Sequence, residues 1–325
     1  MPFESFDQKI DSLEGAVPSI LLGNGFSQSW DAAIFNYKNL LASANFGPRD
    51  VAIRHIFSIF DTFDFEKIML SLDSAKRICE IYRPQLNLVD EFEQDKNQLK
   101  NSLINVISDT HPARSSRVSI PQYSIAKPFI SQFDKVFTLN YDLLLYWIIN
   151  KSEVHPLGYN HSDGFMGTTW IAREEQSIFF LHGGLHLYDT GTSIHKIAFN
   201  GNLNESISEQ VRTNLNNGNF PLFVSEPTAD KKLERIKHNP YLNSCYLSLK
   251  KLSGNLFIHG HSIDENDRHI FDKIKESNVE KIFVGIYGDE NSHSNLRSIA
   301  NANAFLSSRN IVIEFYDSST APIWQ

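Results

Sequence analysis

The chain alternates between two rhythms. Short, mostly apolar runs end on glycine or a polar residue, and between them lie longer stretches with apolar residues at helical spacing. The first run, Val17 to Leu22, is bounded by Gly15 and Gly23 and reads as a fully buried strand. A helix is expected after it, from about Ser27 through Tyr37, with Ser27 or Ser29 as its N-cap. From about residue 45 to 130 the pattern is helical throughout: "EKIMLSLDSAKRICEIY" and "NLVDEFEQDKNQLKNSLINVI" carry many charges, and Leu88, Phe92, Leu99, Leu103 and Val106 form one apolar stripe.

Strands and helices then alternate. "KVFTL", "SIFFL", "PLFVS", "NLFIHG", "KIFVGIYG" and "IVIEFYD" read as strands, and "YDLLLYWIINK" and "ENDRHIFDKIKES" as helices. "LHLYDTGTSIHKIAF", alternating on both sides of Gly191, reads as a β-hairpin. Such a succession predicts an α/β fold: a Rossmann-like, mostly parallel sheet with helices on both faces. Residues 1–44 and 131–325 would form that domain, and 45–130 a mostly helical insertion.

Composition narrows the function classes. With 325 residues, 30 basic and 38 acidic, the net charge is −8, which argues against direct nucleic-acid binding. Cys79 and Cys245 are too few and too far apart for a disulfide framework or a structural zinc cluster, and both are expected within helices as small apolar residues. The first residues, "MPFESFDQKIDSLEG", lack the features of a signal peptide, and no apolar run approaches a membrane span. A cytoplasmic, reduced protein without membrane contact is expected.

In an open parallel sheet, ligands bind beyond the carboxyl ends of the strands, near the point where strand order reverses. The residues following each predicted strand are therefore read together. Gly23-Asn24-Gly25-Phe26-Ser27 follows the first run; its two glycines permit close approach of a pyrophosphate, or form a plain tight turn. The third glycine of the dinucleotide fingerprint is absent, since position 28 is Gln. Asn140 and Asp142 in "TLNYD" can hold ribose hydroxyls or cap a helix. His182, after three large apolar residues, is placed as a general base or as a core histidine. His182 and His186 have helical spacing, but Gly183-Gly184 speaks against a helix and so against a metal pair. "IHGHSIDENDRH" has two readings: a metal site on His259 and His261 with a nearby acid, or a Gly260–Ser262 loop touching ribose or phosphate.

The ordered set "GNGFS", "TLNYD", "LHGG" and "GHSID", with "TAPIW" near the end, resembles the sirtuin-like proteins, in particular the bacterial NAD hydrolases of antiphage defence. The resemblance implies NAD as substrate, bound by Gly23, Asn24, Gly25, Phe26, Ser27, Asp142, Gly260 and Ser262. It implies His182 as base and Asn140 as the group that orients water or the nicotinamide ribose, with no metal needed. It also implies a regulated homo-oligomer, often with a HerA-type ATPase partner. The chain departs from the protein-deacylating sirtuins in lacking their four-cysteine zinc module and an arginine after the first glycine turn, where it reads "SQSWDAAIF". Nicotinamide release is thus the expected chemistry. A non-enzymatic NAD or ADP-ribose sensor and a metal-dependent hydrolase are the alternatives. The insertion and "FYDSSTAPIW" are the candidate partner surfaces.

Overall fold

The computed structural model describes residues 3–35, 37–82, 88–156, 158–198, 207–216, 219 and 221–325. Its strands, in chain order, are β1 (Glu4–Ser5), β2 (Ser19–Leu22), β3 (Val136–Thr138), β4 (Phe165–Met166), β5 (Thr169–Trp170) and β6 (Ile178–Phe180). They continue with β7 (Gly183–Asp189), β8 (Ile194–Lys196), β9 (Pro221–Phe223), β10 (Ser253–His259), β11 (Asn278–Ile286) and β12 (Val312–Asp317). Seven of them form one parallel sheet in the order β1-β12-β11-β10-β2-β3-β6. The α/β, Rossmann-like fold expected from the alternation is the one observed.

The middle stretches of the central strands are mostly apolar because helices cover both faces. Every residue of β2 is buried, as are Leu256 to Ile258 of β10 and Ile282 to Val284 of β11. An aromatic cluster joins the N-terminal segment to this core: the Phe6 ring lies 5.4 Å from Phe257 and 5.2 Å from Phe129. From β2 the chain runs outward one way to β3 and β6, and later returns to build β10, β11 and β12 on the other side. The order therefore reverses between β2 and β10, and the crevice for a ligand is expected beyond their carboxyl ends.

Two expectations are corrected. "PLFVS" does not join the main sheet: β9 pairs antiparallel with β7, in a second, five-stranded sheet ordered β4-β5-β8-β7-β9. Three buried apolar residues look alike in either setting, so sequence alone did not separate them. The hairpin about Gly191 belongs to this sheet too, as β7 and β8; Phe199, at the end of the predicted hairpin, lies outside the described residues. The helix expected over Ser27–Tyr37 instead spans Asn24–Gln28 with Gly23 at its N-cap, and Asn36 lies outside the described residues. Ser27 does not cap it, because its hydroxyl is turned inward to Asp142.

Residues 45–130 hold the helices Asp50–Ile59, Phe65–Tyr82, Leu88–Thr110 and Ile120–Ser131. Leu99, Leu103 and Val106 of the predicted stripe are buried. Arg49 holds this region together with two 2.8 Å hydrogen bonds to the buried Asp95, and Lys100 ties it to Glu226, just beyond β9, at 3.2 Å. Both cysteines are free and helical, Cys245 buried and Cys79 partly so. Among the described residues no helix is long and apolar enough to cross a membrane.

Candidate functional site

The carboxyl ends of β10, β2, β3 and β6 stand side by side, and each ends in residues marked by the sequence. At the switch point the two glycine loops touch. Gly23 N–H donates to His259 O at 2.9 Å and Gly25 N–H to Gly260 O at 2.7 Å. A Cβ on Gly25 would stand 2.6 Å from Gly260 Cα, and one on Gly260 would stand 2.5 Å from Phe26 N. Gly260 also has φ +69°, a conformation that side chains disfavour. These glycines are thus required by the packing of one main chain on another. Gly25 and Phe26 both spend their N–H groups on main-chain oxygens, and the helix is five residues long. Anion binding at this turn therefore draws little from a helix dipole.

Beside the turn lies a buried polar network. Asn140 Nδ2 donates to Gly23 O (3.0 Å) and to Ser27 Oγ (2.9 Å). Ser27 Oγ donates to Asp142 Oδ2 at 2.5 Å, and Leu144 N–H donates to Asp142 Oδ1 at 2.8 Å. Burial pushes the Asp142 carboxyl above its ordinary pKa, while the Ser27 and Leu144 hydrogen bonds pull the other way. With both amide protons of Asn140 committed, the group it can offer a ligand is the Oδ1 acceptor.

A second network adjoins the first through His261, whose Cα and Cβ lie 2.8 Å from where a Cβ of Gly23 would be. His182 leaves the end of β6 just before Gly183, where the chain turns into the second sheet with φ +79° and where a Cβ would strike Leu222 O. The His182 ring is buried, with Nε2 3.3 Å from Nε2 of His269 and 3.8 Å from Asp267 Oδ1. Asp267 accepts from Lys232 Nζ on Oδ1 and pairs with His261 Nε2 through Oδ2, both at 3.0 Å. His261 Nδ1 accepts the Ile263 N–H at 2.8 Å, which puts its proton on Nε2, toward Asp267. Burial lowers the His182 pKa well below its usual value, more than the Asp267 charge raises it, so the ring is neutral at pH 7. Burial takes His269 to about 4. For Asp267, burial acts upward, but Lys232 and the histidines outweigh it and hold the carboxyl well below its usual range.

The remaining marked residues sit as follows. Asn24 donates its side-chain amide to Phe35 O at 3.1 Å. The buried Phe26 ring packs on Trp324 with ring centroids 5.4 Å apart, and the Phe26 carbonyl accepts the Trp324 Nε1–H at 3.0 Å. Ser262 is exposed. The metal pair His259–His261 does not form: His259 Nδ1 is 2.9 Å from Tyr316 Oη, beside Phe129, whereas His261 turns to Asp267. Adjacent side chains along one strand point to opposite faces, and the positive φ of Gly260 breaks the alternation that would have reunited them. Trp324 is buried, so this end of "FYDSSTAPIW" is folded onto the first turn and is not an exposed partner surface.

Lys232 and Tyr141 carried no mark in sequence. Lys232 sits in a charged helix, Ala229–His238, that reads as solvated, and only its buried pairing with Asp267 reveals it. Tyr141 lies between two marked residues and donates to Val224 O at 2.6 Å. With Asn24, Phe35, Leu40, Leu103 and Asp142 it lines a cavity of about 60 Å³, room for about two waters. Leu103 belongs to the helix Leu88–Thr110, so that helix roofs the crevice. A roomier cavity of about 250 Å³ opens at the opposite edge, beside Val136 and Ile178 at the amino ends of β3 and β6. It holds none of the marked residues.

A family model described as a domain of unknown function, DUF4917, matches residues 20–324. No curated protein matches the chain.

Proposed function

We propose that this chain, which belongs to the DUF4917 family, hydrolyses NAD to nicotinamide and ADP-ribose. The observation that carries the reading is the convergence of four strand ends at the switch point, bringing the Gly23–Ser27 turn, Asn140, Asp142 and the neutral His182 to one edge of the sheet. The resemblance to sirtuin-like NAD hydrolases supplies the substrate.

The bond to break joins C1′ of the ribose to the nicotinamide nitrogen. Nicotinamide leaves as a neutral molecule with the bonding pair, and a water oxygen bonds to C1′. Asn140 Oδ1 would orient that water or a ribose hydroxyl. His182 would take the water's proton and later release it to solvent, and Asp267, 3.8 Å away, would favour the imidazolium so formed. Asp142 would accept from a ribose hydroxyl or the carboxamide. The cavity between Asp142 and the roof is far smaller than a dinucleotide, so entry requires Leu103 and its helix to move aside. That need couples the insertion to activity and offers a place for control by a second copy or by an ATPase partner. Exposed Val51, Ile59, Ile78, Ile81 and Tyr82 on the insertion are where such contact would fall. A restrained NADase of this kind fits a cytoplasmic effector of antiphage defence.

The test is incubation of the purified chain with NAD, with product identification by chromatography. Parental protein should release nicotinamide and ADP-ribose in equal amounts, while His182→Gln and Asn140→Ala should lose at least about 100-fold in rate with unchanged circular dichroism. His182→Gln turning over at the parental rate would remove the base from the scheme. NAD binding by calorimetry without product, also in the presence of the ATPase, would make the protein a sensor.

A further inference from the structure

We propose that His182, His269 and Asp267 form a binding site for a transition-metal dication of the zinc type, and that its occupancy switches the site off. The three donor atoms all lie within 4.8 Å of one another, and all three residues are buried or partly buried. The two Nε2 atoms are 3.3 Å apart. Two imidazoles on one tetrahedral zinc, at about 2.0–2.1 Å each, stand about 3.3–3.4 Å apart, so this edge is already at metal-binding length. Asp267 Oδ1, 3.8 Å from His182 Nε2, must close by about 0.5 Å on that edge, and its edge to His269, within 4.8 Å, by up to about 1.4 Å, to complete the face. Two imidazoles and one carboxylate suit zinc and its neighbours, not magnesium or calcium, which favour all-oxygen shells.

Two features of the site oppose binding. Lys232 Nζ holds the same Oδ1 at 3.0 Å, so a dication must displace an ammonium from Asp267. His261 keeps Oδ2 and so holds the carboxylate in place during the exchange. In the metal-free pair one of the facing Nε2 atoms carries a proton; on binding, that ring must carry its proton on Nδ1. For His269 this nitrogen has no partner among the described residues, so the tautomer change breaks only the bond between the two Nε2 atoms, which the metal replaces. Affinity should therefore be moderate and reversible, which suits an inhibitory site better than a permanent structural one. The metal site stands apart from the hydrolase reading; only the inhibition rests on it, because a ring ligated through Nε2 is lost as the base.

The experiment uses the full chain after chelator treatment, titrated with Zn²⁺ against a chromophoric competitor and, separately, with Co²⁺ followed by visible absorption. One equivalent should bind, Co²⁺ should give the intense bands of a tetrahedral site, and His269→Gln should weaken binding at least about tenfold. His55→Gln, at an exposed position of the insertion, should bind as the parent does, and Lys232→Met should bind more tightly. Absence of stoichiometric binding, or equal binding by a folded His269→Gln protein, overturns the site. Nicotinamide release should fall with the same half-point as zinc binding; full activity with zinc bound overturns the switch. Should no NAD be hydrolysed under any condition while His269-dependent zinc binding persists, the hydrolase reading fails and the metal site stands.

Discussion

Lowering the pH from 7 to about 5 should cost this protein much of its stability. His111 and His259 are buried, and burial lowers each from 6.5 to about 4. His111 is fixed as a neutral ring, its Nε2 accepting the Leu143 N–H at 2.9 Å. Each ring is neutral in the native state across the interval in which the unfolded chain already binds a proton. Unfolding therefore takes up protons between about pH 6.5 and 4, and stability rises with pH across that window. At about pH 5 each of the two costs about 2 kcal/mol relative to pH 7. His182, His186 and His269 are shifted in the same direction by burial. Asp142, raised by burial, acts in the opposite direction. Asp267, held well below the carboxylate range, keeps its contribution until below the window. A total above about 4 kcal/mol rivals the about 5–15 kcal/mol of a typical domain. Urea unfolding at half-unit pH steps measures it directly, the slope giving the protons taken up. His186→Phe sharpens the test, because neither ring nitrogen of His186 has a partner among the described residues and its ring stacks on Tyr146 at 4.3 Å. The variant should take up one proton fewer, with stability at pH 7 within about 1 kcal/mol of the parent. Stability that is level between pH 7 and 5 would refute the reasoning.

The glycine turn and the tail give two further expectations. Gly25→Ala sets a Cβ 2.6 Å from Gly260 Cα and should cost about 3 kcal/mol in urea unfolding, whereas Gly191→Ala, with nothing within 4 Å and only φ +82° against it, should cost about 1 kcal/mol; equal costs would mean the two loops are not locked together. Trp324→Ala removes a buried indole and its bond to Phe26 O, so a loss of about 3–5 kcal/mol is expected, read from the thermal midpoint.

What the sequence determined by itself is local. Mostly apolar runs ending on glycine declared strands such as β2 and β10, and the helical stripe of Leu99, Leu103 and Val106 declared its helix, because burial on both faces or on one leaves its pattern in the chain. The order of polar strand ends was likewise legible, and so was the set Gly23–Ser27, Asn140, Asp142, His182 and Gly260 as a group lying beyond those ends. Tertiary structure alone decided the pairings. Whether "PLFVS" joins the parallel or the antiparallel sheet depends on a partner strand, and three buried residues carry no record of which. Lys232 and Asp267 lie 35 positions apart on two charged helical segments, and nothing in either segment announces a buried ion pair. His261 and His259 look like one ligand pair until the positive φ of Gly260 sends their rings to different neighbours. Periodicity records which face of an element is buried; it does not record what is buried against it.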